Sequence, residues 1–458
     1  MRIVILGEGK LGTALTGRLI AEKHDVVVID HNENVLAKNE DVLDALFIKG
    51  SGVNVESLNE ANIKKADVVI ATTQSDETNM LSCLTAKKLG ASYAIARIRD
   101  PQYLPSLSFL QKELGIDYPV NPERATAREI SRMLRFPFAD NIETFARGRV
   151  EMMDFKATEN DPLVNIPLKD IYARNRTLPQ VLICAVEHEG QCIIPKGDFI
   201  IRPGDQVHVM ADVADITQFF KALGKDTGRV RNVMIMGGSR ISYYLADMLL
   251  NMNIGVTIIE IDEKKARTLA EELPKASVIQ GDGTDQELLL SEGMPDMDAF
   301  ITLSGRDEDN LMSGLYAAQM GVKKVIVKNN HSSYGAMIGK LGLSSMVNPQ
   351  TITCNSIMRT VRARDRRANS TVQRMYRLMN GGAEALEFIA DAKAAYLHTP
   401  LRDLQVADDC LIGVIVRDNT VLIPFGNDTI EPGDHVMVIS KEEGLSSLDQ
   451  VLSKKSML

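Results

Sequence analysis

The sequence lacks most features that mark secreted, metal-binding or zinc-finger proteins. It has no tryptophan, and its five cysteines form no CxxC pair: Cys83, Cys184, Cys192, Cys354 and Cys410. This usage is typical of reduced cytosolic thiols and argues against a disulfide framework or a zinc site. The seven histidines are equally scattered, and none pairs with another at metal-ligand spacing. We therefore expect no metal site.

Long apolar runs and an excess of basic charge are also missing. No stretch approaches the roughly 18–20 apolar residues that a membrane-spanning helix needs, and the first apolar run, 3–6, is interpreted as a strand rather than a signal peptide. The formal net charge of −9 provides no basic field to attract nucleic acid or anionic lipid. We expect no nucleic acid partner and no direct membrane insertion. A role at a membrane would therefore require docking on an embedded partner.

What the sequence does contain is one long internal repeat. The segment "RIVILGEGKLG" from Arg2 matches "NVMIMGGSRIS" from Asn232, and Asp30 matches Glu260, each 230 positions further along the chain. Near the ends of the halves, "IIPKGDFIIRPGDQVHV" matches "LIPFGNDTIEPGDHVMV". Matches in the same order over more than 200 positions indicate duplication of a whole unit, because solenoid repeats usually run about 20–50 residues.

Each half begins with short β-branched runs that alternate with helical stretches. In the first half the predicted helices include 12–22 and 79–89, and the predicted strands are Ile3–Leu6, Val26–Ile29, Leu46–Ile48, Val68–Ala71, Ala94–Ile98 and Tyr118–Val120. Several runs are almost continuously apolar, as expected for strands covered on both faces of a parallel sheet. The pattern predicts a Rossmann-like, doubly wound sheet, and the second half repeats it from 233 to 347.

A smaller, strand-rich part follows each Rossmann pattern. Turn signals at 189–190, 196–198 and 203–205 separate its strands in the first half, and a Pro-Gly-Asp turn recurs in the second half. The predicted fold class is α/β, with two tandem units that each join a doubly wound parallel sheet to a small α+β lobe. The predicted domains are 1–122, 123–228, 229–350 and 351–458, and the second and fourth begin with linker helices.

The glycine loop "GEGKLG", residues 7–12, lies between a predicted strand and a predicted helix. In that context Gly7 makes the tight turn, Gly9 admits a pyrophosphate and Gly12 lets the helix pack on the strand. Backbone N–H groups and the helix N-terminus then meet phosphate charge, and Lys10 either adds a cation or is solvated. Asp30 is placed to accept hydrogen bonds from a ribose diol and disfavours a 2′-phosphate. The loop therefore favours NAD(H) or an adenine nucleotide over NADP.

Two further strand ends are expected at the same edge of the sheet. Thr73 and Gln74 follow the fourth strand, whereas Arg97 and Arg99 end the fifth. An arginine there can pair with phosphate through two hydrogen bonds. The adjoining "SDETN" is expected to start and cap the next helix.

The second half departs from this pattern, because its loop reads "GGSRIS" from Gly237. Ser239 replaces the central glycine, and a side chain there obstructs close approach of a pyrophosphate. Glu260 remains a candidate ribose acceptor and Arg240 a candidate phosphate contact. We expect the second lobe to bind a mononucleotide weakly or differently, or to be structural.

A basic stripe marks the first linker helix, where arginines recur at spacings of four, four and three residues: Arg124, Arg128, Arg132 and Arg135. These spacings place them on one helix face. A solvated surface is one interpretation, and a face turned toward a partner subunit or an anionic ligand is the other.

Taken together, the repeat, Asp30, "TTQSDETN", "ARIRDP" and the paired Pro-Gly-Asp hairpins resemble the TrkA family. Its members are peripheral cytoplasmic regulatory subunits of bacterial and archaeal Trk potassium uptake systems. The resemblance covers essentially the whole chain. It implies two tandem regulator-of-K⁺-conductance (RCK) units, each a Rossmann lobe followed by a small lobe.

The resemblance also implies ligands, partners and site residues. The expected ligands are NAD(H) and ATP or ADP, bound in the first Rossmann lobe. The expected partners are further copies of this chain, in a homo-oligomeric ring (a dimer or tetramer), and a membrane-embedded K⁺-translocating subunit that the ring gates from the cytoplasmic face. The nucleotide contacts fall on Gly7, Glu8, Gly9, Lys10, Leu11, Gly12, Asp30, Thr73, Gln74 and Arg97. In the second lobe they fall on Gly237, Gly238, Ser239, Arg240, Ile241 and Glu260.

Two other functions stay open at this point. An NAD-dependent oxidoreductase would need a proton donor or acceptor beside the nicotinamide, but His24 and His31 flank the second strand near the adenosine end, and His188 and His208 belong to the small lobe. We therefore expect a regulator and no catalytic residues. The remaining alternative is a nucleotide sensor for another transporter.

Overall fold

Two parallel sheets, one in each half of the chain, form the Rossmann lobes. The computed structural model describes residues 1–136, 142–225, 228, 230–330, 343, 345–362, 364, 372–378, 382–442 and 444–454. The chain divides into two units. The Rossmann unit comprises 1–131 and 231–361, and the small-lobe unit comprises 132–230 and 362–458. The two Rossmann lobes thus belong to one unit, and the two small lobes belong to the other.

The first Rossmann lobe contains a six-stranded sheet whose neighbouring strands all pair in parallel. In spatial order its strands are Leu46–Lys49, Asp25–Asp30, Arg2–Leu6, Val68–Ala71, Ala94–Arg97 and Tyr118–Val120. Its α-helices are Lys10–Ala21, Glu33–Glu40, Val55–Glu60, Asp76–Lys88 and Leu107–Leu114, and Pro122–Arg135 follows the last strand. All six predicted strands are confirmed, each end within one residue.

Two predicted helices begin earlier than expected. The helix Lys10–Ala21 starts two residues before the predicted 12–22, because Gly9 serves as its N-cap residue. The helix Asp76–Lys88 starts three residues before the predicted 79–89. Ser75 caps it by accepting a hydrogen bond from the N–H of Thr78 at 3.0 Å.

The second Rossmann lobe repeats the sheet in the same strand order. Its strands are Ser277–Gln280, Gly255–Glu260, Asn232–Met236, Ala299–Thr302, Lys324–Lys328 and Ser345–Val347. Its α-helices are Arg240–Asn251, Glu263–Glu272, Gln286–Ser291 and Asp307–Gln319, and Pro349–Arg362 follows the last strand. The fold class expected from the sequence is thus confirmed for both parallel sheets.

A helix from the second half covers one face of the first sheet. Its buried residues Cys354, Ile357, Met358 and Val361 pack against Ile3, Ile5, Leu15, Leu19 and Val28. Burial of such side chains contributes roughly 1.5–3 kcal/mol each. The opposite face of that sheet packs against helices of its own lobe. The two Rossmann lobes are therefore joined by a shared core.

The small-lobe unit consists of two antiparallel five-stranded sheets. The first contains Gln191–Ile193, Leu182–His188, Gln206–Asp212, Val150–Lys156 and Ile142–Phe145, with the helices Ile171–Arg174 and Val213–Ala222. The second contains Val372–Leu378, Ala383–Ile389, His435–Ser440, Cys410–Arg417 and Thr420–Leu422. A further pair, Leu404–Val406 and Leu452–Lys454, flanks the helix Leu448–Val451. Buried residues of both sheets share one core.

The basic stripe divides along the first linker helix. Arg124 and Arg128 are exposed, as a solvated face requires. Arg135 forms an ion pair with Glu151 of the first small lobe, a carboxylate that is almost fully buried. The stripe is therefore in part a structural contact. Among the helices of the described residues, none is both long and apolar enough to cross a bilayer.

Candidate nucleotide site

The first glycine loop turns the chain from a strand into the helix Lys10–Ala21. Gly7 has φ = +101°, and a Cβ added there would lie 2.9 Å from the backbone nitrogen of Thr73, so the position requires glycine. A Cβ on Gly12 would lie 2.1 Å from the carbonyl oxygen of Gly7. A Cβ on Gly9 would have no described atom within 4 Å. The loop therefore packs closely against backbone atoms at Gly7 and Gly12, whereas Gly9 faces open space.

The helix that follows the loop has no side-chain cap, because its N-cap residue is Gly9. Its backbone bonds begin with the N–H of Thr13, which donates to the carbonyl of Gly9 at 3.0 Å. The earlier N–H groups, at Lys10 and Leu11, point out of the first turn toward an acceptor from outside the helix. An uncapped first turn at the positive end of the helix dipole is suited to phosphate.

Asp30 ends the second strand and is held by two backbone groups. Its Oδ2 accepts from the N–H of Glu8 at 2.6 Å, and its Oδ1 accepts from the N–H of Asn32 at 2.8 Å. A carboxylate offers about four lone-pair positions, so the two oxygens retain capacity for the hydroxyls of a ribose diol. Asp30 therefore has the orientation and chemistry of a ribose acceptor.

The side chain of Glu8 lies beneath the loop. It is 1% exposed, and its two oxygens accept from Thr16 Oγ1 and Asn39 Nδ2, each at 3.1 Å. Removal from water raises the pKa of Glu8 to about 7; the charge of Asp30 adds to the rise, and the hydrogen bonds oppose it. The resemblance counts Glu8 among the nucleotide contacts. The structure directs its backbone N–H to Asp30 and buries its carboxyl group.

Asn79 braces the neighbouring strand ends. Its Oδ1 accepts from the N–H and hydroxyl of Thr73 at 2.8 and 2.7 Å, and its Nδ2 donates to the carbonyls of Thr73 and Arg97 at 3.1 and 2.9 Å. The Arg97 guanidinium donates to the carbonyl of Thr73. Burial, and next the charge of Arg99, lowers the pKa of Arg97. Sequence reasoning missed this brace, although an asparagine at the same place in both halves was its signal.

A cavity of about 510 Å³ opens beside the glycine loop. Ligand pockets in proteins typically span ~300–1,000 Å³. Three cations line it, and its carboxylate, Glu123, accepts from Arg99 Nε at 2.8 Å, so the lining is positive overall. The lining residues are Gly9, Lys10, Leu11, Thr72, Gln74, Arg97, Arg99, Pro122, Glu123, Asn330, Pro349, Gln350 and Thr353.

The second half reaches this cavity through the start of the helix Pro349–Arg362. Gln350 Nε2 donates to the carbonyl of Lys10 at 2.6 Å, inside the first glycine loop. Elsewhere between the two Rossmann lobes, Tyr244 donates its hydroxyl hydrogen to the carbonyl of Arg99 at 2.8 Å. Sequence reasoning did not find these residues, because nothing in the repeat indicates which surfaces of the two lobes meet.

The second glycine loop is closed by its own side chains. Ser239 Oγ accepts from the N–H of Ser242 at 3.4 Å, and Ser242 Oγ accepts from the N–H of Ser239 at 3.2 Å, which forms a capping box. The Ser242 hydroxyl also contacts the carbonyl of Gly237. Side chains therefore satisfy the N–H groups of Ser239 and Ser242 in loop two, whereas their counterparts Gly9 and Gly12 in loop one have no side chain that could form such a cap.

The other predicted residues of the second lobe lie where the repeat places them. Glu260 accepts from the N–H groups of Gly238 and Asp262, the latter at 2.8 Å, and is 7% exposed. Arg240 forms an ion pair with Asp100 of the first lobe at 3.6 Å, and Ile241 is buried. Glu260 thus keeps the two backbone contacts of Asp30, and it is the capping box and the Arg240 ion pair that favour a structural role for the second loop.

Comparison with known protein families identifies the two kinds of lobe. The TrkA-N domain family matches residues 3–122 and 233–349, and the TrkA-C domain family matches 152–224 and 385–453. The chain belongs to the TrkA family. Its two Rossmann lobes are TrkA-N domains, and its two small lobes are TrkA-C domains.

Similar proteins match this TrkA-family chain along its length. It is 30% identical to the Trk system potassium uptake protein TrkA homolog 1 of Methanosarcina mazei, over 98% of this chain and 99% of that protein. It is 32% identical to TrkA of Vibrio alginolyticus, over 96% and 95% of the chains. A solved structure titled "GsuK channel bound to NAD" has the same fold, with a TM-score of 0.62 at 17% identity over 98% of this chain and 78% of that one.

Proposed function

We propose that this TrkA-family chain is a nucleotide-binding regulatory subunit of a Trk-type potassium uptake system. The observation that carries the proposal is the contrast between the two glycine loops. The first has an uncapped helix, an oriented Asp30 and a cationic cavity beside it. The second is capped by Ser239 and Ser242. A duplicated chain that keeps one nucleotide-binding loop and caps the other is suited to sensing a nucleotide.

The ligands that fit the first site are NAD(H) and ATP or ADP. The adenosine ribose binds to Asp30, the diphosphate binds to the N–H groups of Gly9 to Leu11, and the remainder of the ligand enters the cavity toward Gln74 and Arg97. Asp30 selects against NADP, because its charge repels a 2′-phosphate.

Gating follows from linkage. A nucleotide that binds two conformations of the protein with unequal affinity shifts their balance, and an attached channel responds to the shift. In this proposal the chain forms a homo-oligomeric ring, peripheral on the inner face of the membrane, and contacts a membrane-embedded K⁺-translocating subunit. The lobes act within the boundaries 1–122, 123–228, 229–350 and 351–458.

An oxidoreductase has less support from the geometry. Hydride chemistry needs a proton donor or acceptor beside the nicotinamide. Among the described residues that line the cavity there is no histidine, cysteine or tyrosine, and the single carboxylate, Glu123, is bound to Arg99. NADH oxidation against a panel of keto acids, aldehydes and imines tests this point, and robust turnover would overturn the regulator.

The decisive experiment for the regulator is reconstitution. We expect the chain to co-purify with a Trk-type K⁺-translocating subunit, and K⁺ flux in liposomes to change when ATP, ADP or NADH is added. A variant with Gly9→Asp, which places a carboxylate at the open face of the loop, should still co-purify but lose the nucleotide response. Flux that is unaffected by every nucleotide would refute the proposed function.

A further inference from the structure

A buried polar cluster lies directly beneath the first glycine loop. Glu8 accepts from the hydroxyl of Thr16 and the amide of Asn39, and Asn39 also donates to Thr13 Oγ1 at 3.2 Å. These side chains come from the loop and two different helices, so the cluster ties the loop to both. The residues at the same places in the second lobe, 230 positions along, are Gly238, Tyr243, Ala246 and Leu269.

The second lobe serves as an internal comparison for this cluster. There a Cβ on Gly238 would lie 2.6 Å from Leu269 Cδ1, so leucine occupies the space that the acid and the amide share in the first lobe. The same fold is therefore built with an apolar pair at this position. Burying a carboxyl group costs free energy, and the second lobe shows that the fold does not require one here. We therefore expect the buried acid of the first lobe to have a function.

The cluster lies close to the phosphate-binding turn. A Cβ on Gly12, in the first turn of the helix Lys10–Ala21, would lie 3.2 Å from Glu8 Oε2. The ionised Glu8 carboxylate and a bound diphosphate would thus both lie at the positive end of one helix dipole. Two anions at one helix end repel each other, so each is favoured when the other is neutral or absent.

We propose that nucleotide binding to the first Rossmann lobe is coupled to proton uptake by Glu8, so that affinity falls as the pH rises through neutrality. The proposal rests on the proposed function of nucleotide binding at this loop. Glu8 acts as a positioning residue: its N–H orients Asp30, and its carboxyl group sets the local charge.

The sign of the effect follows from the free protein, in which the pKa of Glu8 is about 7. Bound diphosphate adds negative charge and raises this pKa further. Below pH 7 the carboxyl group is largely protonated already, and binding takes up little H⁺. Above pH 7 binding requires protonation, and affinity falls by at most about tenfold per pH unit, because one proton is coupled.

Two other ionisable side chains belong to the surroundings of Glu8. Asp30 faces it from the second strand and adds to the negative charge. His31 Nδ1 lies 3.3 Å from Asp30 Oδ1 on the exposed side, and an imidazole also changes its charge with pH. Thr13, Thr16 and Asn39, from the two helices, are neutral. A His31→Asn variant therefore separates the imidazole from the carboxyl group.

The test is calorimetric titration of the full chain with NADH between pH 6 and 8.5, in two buffers of different ionisation enthalpy. The diphosphate of NADH keeps its charge over this range, and the two buffers count the protons taken up. We expect wild-type affinity to fall roughly 3- to 10-fold between pH 6.5 and 8.5, with proton uptake on binding. His31→Asn should retain most of both effects.

Glu8→Gln, which resembles the protonated acid, should lose most of the pH dependence of NADH affinity and most of the proton uptake. Glu33→Gln is the matched control, because this exposed carboxylate lies on the neighbouring helix and pairs with Lys49; it should keep the wild-type slope. The double variant Glu8→Gly, Asn39→Leu reproduces the pair of the second lobe and should also lose the slope.

The outcomes separate this proposal from the function on which it rests. If Glu8→Gln binds NADH with the wild-type slope and proton uptake, proton coupling through Glu8 is wrong and the nucleotide site stands. If the wild type binds NADH with no slope, the proposal is equally wrong. If the wild type binds no NADH at any pH, the NADH site fails and the proposal fails with it.

Discussion

Gln350 offers a direct test of whether the second half of the chain takes part in the nucleotide site proposed for the first lobe. Its Nε2 donates to the carbonyl of Lys10 at 2.6 Å, and its side chain lines the cationic cavity. Gln350→Ala removes the hydrogen bond and leaves the loop to be ordered when the ligand binds. Gln350→Glu instead sets a carboxylate against a carbonyl oxygen and adds negative charge where phosphate is expected.

The magnitudes follow from these two changes. A hydrogen bond contributes about 0.5–1.5 kcal/mol net, so Gln350→Ala should weaken ADP and NADH binding roughly 2- to 12-fold. At an effective dielectric constant of about 20, like charges ~5 Å apart repel by about 3 kcal/mol. Screening in the open cavity reduces this to about 1–2 kcal/mol. Gln350→Glu should therefore weaken binding roughly 5- to 30-fold, and less at high salt.

Calorimetric titration of the full chain measures both variants. Thr351→Glu is the matched control, because it adds the same charge one residue along the helix on an exposed position; its affinity should stay within about twofold of wild type. If Gln350→Glu binds ADP as tightly as wild type at low salt, the second half does not contribute to the site and the reasoning fails.

Three further predictions concern ligand choice, the shared core and thiol reactivity. Asp30→Asn removes the charge that repels a 2′-phosphate, so the preference for NADH over NADPH should shrink at least several-fold in competition binding; an unchanged preference would contradict the assignment. Ile357→Ala empties a fully buried position between the halves and should cost about 2–5 kcal/mol, seen as a lower melting temperature, whereas Thr351→Ala should not. Burial raises the pKa of Cys83 and of Cys184 to about 12, so iodoacetamide at pH 8 should leave both unlabelled until the protein is denatured; labelling of the native protein at either cysteine would count against their burial.

The sheets of the Rossmann lobes could be predicted because their strands are short, almost continuously apolar runs in the sequence. A strand such as "DVVVID" is buried at four consecutive positions, which a parallel sheet covered on both faces requires. The turn at Gly7 and the acid at Asp30 could be placed for a similar reason, since their chemistry is fixed by the strand ends that precede them.

Other parts of the site depend on contacts between residues that are far apart in the sequence, which no local pattern predicts. The cavity includes Gln350 and Thr353, more than 300 residues from the loop they adjoin. The inward orientation of Glu8 depends on Asn39, a residue on another helix. The sequence indicates that Ser239 obstructs phosphate, but its capping box with Ser242 depends on where the helix Arg240–Asn251 begins.

The helix Pro349–Arg362, which follows the last strand of the second Rossmann lobe yet covers the sheet of the first, has a consequence for how such a chain arose. A half-length protein with this topology would leave the Ile3 and Ile5 side of its sheet exposed to water, and a second copy of itself could supply the missing helix. A single-unit ancestor would then have needed a second copy to cover that face, and fusion of two copies would have placed the covering helix in the same chain. Once fused, the copies were free to diverge, and one loop could lose its ligand while its helix remained indispensable.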